Sequence, residues 1–343
     1  MTALRIGVLG AAKITPSALL KPARQVGEVT IAAVAARDPA RARGFATRHG
    51  IATVHNDYQE LIDDPSIDAV YNPLPPALHG RWTIAALEAG KHVLCEKPFT
   101  ANADEARAVE QAARGTGLVV MEAFHYRYHP LARRLVDIVA SGELGAIRSM
   151  DASFCAALPP SGARIQWQAA LGGGATMDLG CYPIHLLRTL AGAEPEVISA
   201  RAEVLPRAPG IDRLMRAELT FPGAVTGRVS ASMWSSRLFS VRARVIGDAG
   251  ELRVCNYLSP QTGYSLTVRT SAGRRRERLT REPTYLFQLR AFAAAVLRDG
   301  PVLTGPQDAV ANMRVIDAVY RAAGLEPRQP AYGLPGADQA EQS

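Results

Sequence analysis

Two stretches of the chain carry side chains able to manage protons and developing charge. In Cys95-Glu96-Lys97-Pro98 a lysine follows the apolar run from His92 to Cys95, which reads as a buried strand. Proline fixes that lysine at the strand's carboxyl end, where ligands of parallel sheets bind. A cation held there can donate to an oxygen on which negative charge develops. The second stretch is Gly172-Gly173-Gly174, followed by Asp178, Tyr182 and His185. Positions i, i+4 and i+7 share one face of an α-helix, so the three side chains project together. Polar residues on a stripe that is normally apolar, directly after glycines that let backbone pass close to a ligand, predict a lined pocket. For His185 two readings stay open, substrate contact or structural histidine.

The elements that must position these groups come from hydrophobic periodicity. Residues 1–123 alternate short β-branched runs with amphipathic stretches, the rhythm of a parallel sheet covered by helices. Six strands, doubly wound, are expected, with the clearest runs at Leu4 to Leu9, Val29 to Ala35, Ala69 to Tyr71, His92 to Cys95 and Leu118 to Met121. Thr15-Pro16, Asp38-Pro39 and Asn102 ahead of Glu105 mark helix starts. Strand one runs into Gly10-Ala11-Ala12-Lys13-Ile14-Thr15, where a G-x-G-x-x-G dinucleotide loop belongs, although only the first glycine is present. Gly10, Ala12, Lys13 and Ile14 are therefore cofactor-binding candidates, and Thr15 would cap the phosphate-binding helix. Strand two ends at Arg37-Asp38. Either Asp38 takes the adenosine ribose hydroxyls of NAD(H), or Asp38 caps the helix while Arg37 clasps the 2′-phosphate of NADP(H). NADP(H) is the favoured reading and NAD(H) the alternative.

Beyond residue 123 the pattern changes to an α+β domain, residues 124–328, with an open, mostly antiparallel sheet from strand-like runs between Val197 and Val268. Helices are expected near Leu131 to Ala140, Asp178 to Leu190, Tyr285 to Leu297 and Gln307 to Ala323, before a mobile tail over 329–343. At 343 residues, 48% hydrophobic and 21% charged, the chain is globular with about two domains. Its net charge of +7 comes mostly from dispersed arginines; the dense run Arg274 to Arg278 reads as a solvated hairpin tip, and no nucleic-acid partner is expected. Cys95, Cys155, Cys181 and Cys255 form no C-x-x-C pair, so they read as reduced thiols, with no metal expected. A strand beginning at Leu4 leaves no room for a signal peptide, and no apolar run approaches a membrane span, so a cytoplasmic protein is expected.

Over nearly its whole length the chain resembles the glucose-fructose oxidoreductase, inositol dehydrogenase and rhizopine catabolism (Gfo/Idh/MocA) family of NAD(P)-dependent oxidoreductases. The residues that carry the resemblance are Gly10 to Ile14, Asn72-Pro73-Leu74-Pro75 with His79, Glu96-Lys97-Pro98, Glu122 to Pro130 with Arg127, and Gly172 to Gly174 with Asp178 and Tyr182. Tyrosine at the last position is similar to the branch with dihydrodiol dehydrogenase and xylose dehydrogenase. The resemblance implies a Rossmann domain and a second α+β domain, with Lys97, Asp178 and Tyr182 as the catalytic set. Asn72, Leu74, His79, Glu96 and Lys97 are candidates for the cofactor side, and Arg127 and His185 for the substrate side; Trp167 reads either as the apolar wall of the substrate pocket or as a buried core tryptophan. Glu122, Arg127 and His129 read foremost as a scaffold at the domain junction. Pro76, where related sequences often have asparagine, departs from the pattern.

The implied reaction moves a hydride between nicotinamide and a carbinol carbon, with Tyr182 handling the hydroxyl proton. A phenol of ordinary pKa near ~10 needs a neighbouring cation to act as a base at neutral pH, a part suited to Lys97. Asp178 would hold the substrate hydroxyl or orient Lys97; the reverse assignment, Lys97 donating the proton while Tyr182 orients, stays open. The expected substrate is a small hydroxylated molecule such as a sugar, polyol or cyclic diol. Alternatives are a redox-assisted glycosidase or epimerase that retains its cofactor, or a non-catalytic NADP(H)-sensing protein. A homodimer or homotetramer joined through the open sheet is the expected assembly.

Overall fold

The structure, a computed structural model, describes residues 3–161, 164–206, 208–234 and 238–332. They form two compact units. The first holds the residues up to His125, then 285–310, then those from Gln329. Its strands among the described residues are β1 (Leu4–Leu9), β2 (Val29–Ala35), β3 (Thr53–His55), β4 (Ala69–Asn72), β5 (His92–Cys95) and β6 (Val120–Glu122). All pair in parallel, in the order β3-β2-β1-β4-β5-β6, the doubly wound arrangement whose switch point lies between β1 and β4. Strands β1, β4 and β5 bury almost every side chain, as a sheet covered on both faces requires. Asp38 and Asn102 cap their helices, each accepting two backbone N–H bonds.

The second unit comprises residues 126–284 and 311–328. Its strands are β7 (Ile147–Ala156), β8 (Glu196–Leu205), β9 (Ala208–Phe221), β10 (Val225–Ser232), β11 (Phe239–Gly247), β12 (Gly250–Cys255), β13 (Ser265–Thr270) and β14 (Gly273–Glu277). They make one sheet in the order β14-β13-β12-β11-β7-β10-β9-β8, antiparallel except for the parallel pair β7 and β10. Helical residues 176–191 cover one face. On the other face lie Asp151, Arg201, Arg216, Glu218, Arg228, Arg242, Arg244 and Arg253.

Three expectations need revision. Residues 285–310 were expected in the second domain but belong to the first unit. The physical reason is that β6 would otherwise be a bare edge: the Glu122 N–H donates to the Thr304 carbonyl at 2.8 Å, and Thr304 Oγ1 returns a bond to the Glu122 carbonyl at 2.7 Å. Arg274 to Glu277 lie along the edge strand β14 and not in a hairpin tip, with Arg134 and Arg275 both gripping Glu277. Of the tail expected to be mobile, residues 333–343 lie outside the described set, while the Ala331 N–H donates to Ala77 O at 2.9 Å.

Glu105 gives a test of this packing. It is 4% exposed, accepts from Ala101 N at 2.7 Å, and lies so close to Gly80 that a Cβ there would overlap its carboxylate. Burial raises its pKa from 4.5 to about 7. The folded chain therefore holds a proton that the unfolded chain releases between pH 4.5 and 7, and stability falls as pH rises through that window. The full effect is on the order of 3 kcal/mol. Glu105→Gln should flatten the denaturant-derived stability profile between those pH values and exceed wild type at pH 8; identical slopes would contradict the assignment.

Candidate active site

In the first unit the site is built at the carboxyl ends of β1, β4 and β5. Gly10 has φ +92°, donates its N–H to Ala35 O at 2.6 Å, and would bring a Cβ to 3.2 Å from Leu74 Cδ2. Only glycine fits this left-handed turn between the two strand ends. Residues 11 to 14 that follow are half-exposed or exposed, so the loop after β1 is open to solvent. The expected Thr15 cap is absent. Thr15 is fully buried with helical dihedrals and no side-chain cap bond, because the helical turns already begin upstream, with Thr15 N–H on Ala12 O and Ala18 N–H on Ile14 O.

At the end of β2 the Asp38 carboxylate is spent on its helix, accepting Ala40 N at 2.8 Å and Arg41 N at 3.3 Å through the same oxygen. Arg37 beside it is exposed. Arg41, not among the sequence-based candidates, reaches back so that Nη2 donates to Ala11 O at 3.1 Å. Its position in the first turn of a capped helix, facing the loop, was the available signal.

Lys97 is half-buried, whereas every other residue from Val93 to Ala103 is buried. The strand end thus delivers one charged side chain outward. Its neighbours brace it. Tyr71 Oη donates to Glu96 Oε1 at 2.8 Å, and the Lys97 N–H approaches Glu96 Oε2 at 3.3 Å. His79, fully buried, sits 2.9 Å from Pro98 O and 2.6 Å from Leu74 O, tying the loop after β5 to the loop after β4. Asn72 donates to His79 O and Thr83 Oγ1. The side chains of Asn72, His79 and Glu96, expected at the cofactor, are therefore engaged inside the unit and brace the loops; Leu74 packs against Gly10.

In the second unit, every residue from Gly172 to Arg188 is buried except Asp178. The helix bearing it is not α throughout. Residues Thr176–Gly180 form a π turn before the α-helix Cys181–Ala191, so the expected α spacing of Asp178, Tyr182 and His185 is broken in its first turn. Such wide turns recur at functional sites. Tyr182 is 5% exposed, its ring edge-on to Phe154 at 5.8 Å and tilted against Tyr126 at 6.2 Å. His185, expected at the substrate, is 1% exposed and places Nδ1 2.5 Å from the Tyr126 hydroxyl. That bond fixes the ring beside Tyr182, which makes His185 a brace from within. Trp167 is also buried, its indole N–H donating to Leu158 O at 3.2 Å, and Arg127 is half-buried. His129 caps the helix Pro130–Ala140 by accepting from Leu131 N at 3.0 Å.

Comparison with known proteins agrees with this construction. Residues 4–124 match the oxidoreductase family with an NAD-binding Rossmann fold, and residues 132–253 match the GFO/IDH/MocA C-terminal domain. The chain is 36% identical over 320 residues to D-xylose 1-dehydrogenase (NADP(+)) 2 of Haloferax volcanii, covering 93% of this chain and 97% of that protein. It is 34% identical over 325 residues to the dTDP-3,4-didehydro-2,6-dideoxy-alpha-D-glucose 3-reductase of Actinomadura kijaniata, covering 93% and 96%. A crystal structure of a 3-ketoreductase from Actinomadura kijaniata with NADP and TDP-benzene superposes with a TM-score of 0.86 at 31% identity, covering 94% and 98%.

The glycine run supplies the local test. A Cβ on Gly174, whose φ is +133°, would overlap Asp212 Oδ1 and lie 2.7 Å from Arg328 Nη2 and 2.8 Å from Tyr320 Oη. Gly174→Ala should cost about 3 kcal/mol or more in chemical denaturation. A loss below about 1 kcal/mol would contradict this packing.

Proposed function

The chain belongs to the Gfo/Idh/MocA family of NAD(P)-dependent oxidoreductases, and we propose that within it the protein uses NADP(H) to transfer a hydride at a carbinol carbon of a sugar, polyol or cyclic diol. The observation that carries the reading is that Lys97 and Asp178 are each the one half-buried residue in an otherwise buried segment. Burying a strand end and a helix while presenting a lysine and a carboxylate outward has no packing benefit, and it suits acid–base and electrostatic work on an oxygen.

The residues fit the cofactor. Gly10 to Ile14 would take the pyrophosphate against loop backbone, and the engaged Asp38 carboxylate leaves the ribose end to Arg37, with Arg41 next to the same loop. Guanidinium groups suit a 2′-phosphate, which they can grip bidentately. Support also comes from the relatives named for, or crystallised with, NADP. The bound nicotinamide supplies or accepts the hydride. The chain's own groups do the rest: Lys97 Nζ donates to the reacting oxygen and lowers the cost of charge on it. Tyr182 Oη takes or returns the hydroxyl proton. Asp178 accepts from a substrate hydroxyl. The enclosing rings of Phe154 and Tyr126 keep water from the Tyr182 ring.

Two experiments test this. Fluorescence titration should show NADPH binding more tightly than NADH, with the preference lost in Arg37→Ala; tighter NADH binding would return the ribose to Asp38. Lys97→Met and Tyr182→Phe should each lower turnover at least about 100-fold, with Tyr182→Phe retaining NADPH binding. Near-normal turnover in both variants would contradict the catalytic assignment.

A further inference from the structure

The π turn that carries Asp178 is held by a buried charge network the reaction itself does not use. Asp212, on β9, is fully buried and 36 residues along the chain from Thr176. One carboxylate oxygen, Oδ2, accepts the Thr176 N–H at 2.7 Å and Thr176 Oγ1 at 2.6 Å, inside the turn. The other, Oδ1, accepts Tyr320 Oη at 3.0 Å and Arg328 Nη2 at 2.9 Å. Arg328 spends its remaining edges on backbone, with Nε on Gly173 O and Nη1 on Gly210 O, both at 2.6 Å, and lies over the Tyr320 ring at 4.5 Å.

The glycine run is clamped from the opposite side as well. Gly174 N–H donates to Gln166 O at 3.0 Å and Gly173 N–H to Gln168 O at 2.9 Å, while a Cβ on Gly173 would come within 2.7 Å of Gln166 O. Backbone here has no freedom to slide between the two clamps. Burying an aspartate and an arginine is costly, and a packed apolar substitute stabilises equally well or better. A stability role alone therefore gives a weak account of a network whose bonds converge on Gly173 and Thr176, at the entrance to the wide turn.

The geometry points to Asp212, with Arg328, Tyr320 and Thr176, as the positioning group that holds residues 176–180 in the π register and so sets the direction of Asp178 relative to Tyr182. Asp212 binds Thr176 by its N–H and hydroxyl together, satisfying a first-turn N–H that has no intrahelical partner and fixing where the turn begins. None of these four side chains touches the reacting atoms in this account. The inference rests on the assignment of Asp178 and Tyr182 to the reaction.

Asp212→Ala would strand Arg328 and is expected to unfold the protein, so the test uses milder changes. Thr176→Val keeps shape and loses the hydroxyl bond, Tyr320→Phe loses one bond to Oδ1, and Thr176→Ser keeps the hydroxyl. In the NADPH-loaded enzyme, Thr176→Val and the double variant Thr176→Val/Tyr320→Phe should lower kcat at least tenfold, with NADPH affinity unchanged and a displaced pH limb in kcat. Thr176→Ser should restore wild-type values. Crystal structures of the double variant should show residues 176–180 in α register or Asp178 redirected. A lowered Tm with unchanged kcat, unchanged pH profile and an intact π turn would overturn the proposal. Inactive Tyr182→Phe beside fully active Thr176→Val would overturn positioning alone; active Tyr182→Phe would overturn the site reading and positioning with it.

Discussion

A charged side chain can emerge from an otherwise buried segment only if the backbone around it is fixed by bonds that replace those lost to water. That constraint organises both units. In the first, Lys97 leaves a strand end whose flanks are tied down by Tyr71 on Glu96 and by His79 between the Leu74 and Pro98 carbonyls. In the second, Asp178 leaves a helix whose entrance is held by Asp212 and Arg328. Preorganisation of this kind lets an enzyme place charge without reorganising at the moment of reaction.

Much of the frame is legible because burial writes itself into residue type. The mostly buried strands β1, β2 and β5 begin and end where their β-branched and apolar runs do. β3 is three residues long and half-exposed, so no apolar run announces it. Lys97 and Asp178 stand out in the sequence as charges set in apolar surroundings. Thr15 misleads because Thr-Pro is a common helix entry, and only the upstream turn bonds from Ala12 and Ile14 show that the helix has already started. The π turn leaves no periodic mark, since a single widened turn shifts the hydrophobic pattern by one residue within a stretch that is buried all round.

The polar interior is the least legible part. Asn72, His79 and Glu96, placed at the cofactor by the family motifs, and His185, open between substrate contact and structural histidine, have side chains bonded to neighbouring backbone or to Tyr71 and Tyr126, and no local pattern announces those bonds. Asp212 and Arg328 lie 116 residues apart, and no local pattern links an aspartate in an exposed-looking strand to an arginine ahead of a Pro-rich tail. Long-range ion pairs of this kind are fixed by topology, which a single sequence does not display. The Arg328 bond to Gly173 O and the close approach of Asp212 to Gly174 make the glycine run of this chain the fitted part of a clamp.

Isotope transfer tests the central claim most directly. The enzyme would be incubated with NADP+ and a panel of aldoses and cyclic diols carrying deuterium at the carbinol carbon, and the NADPH formed would be weighed by mass spectrometry. The account predicts that NADPH from the accepted substrate carries one deuterium, and that Tyr182→Phe abolishes the transfer while still binding NADPH. Tight NADPH binding with no deuterium transferred from any panel member would contradict an oxidoreductase acting on sugars, polyols or diols.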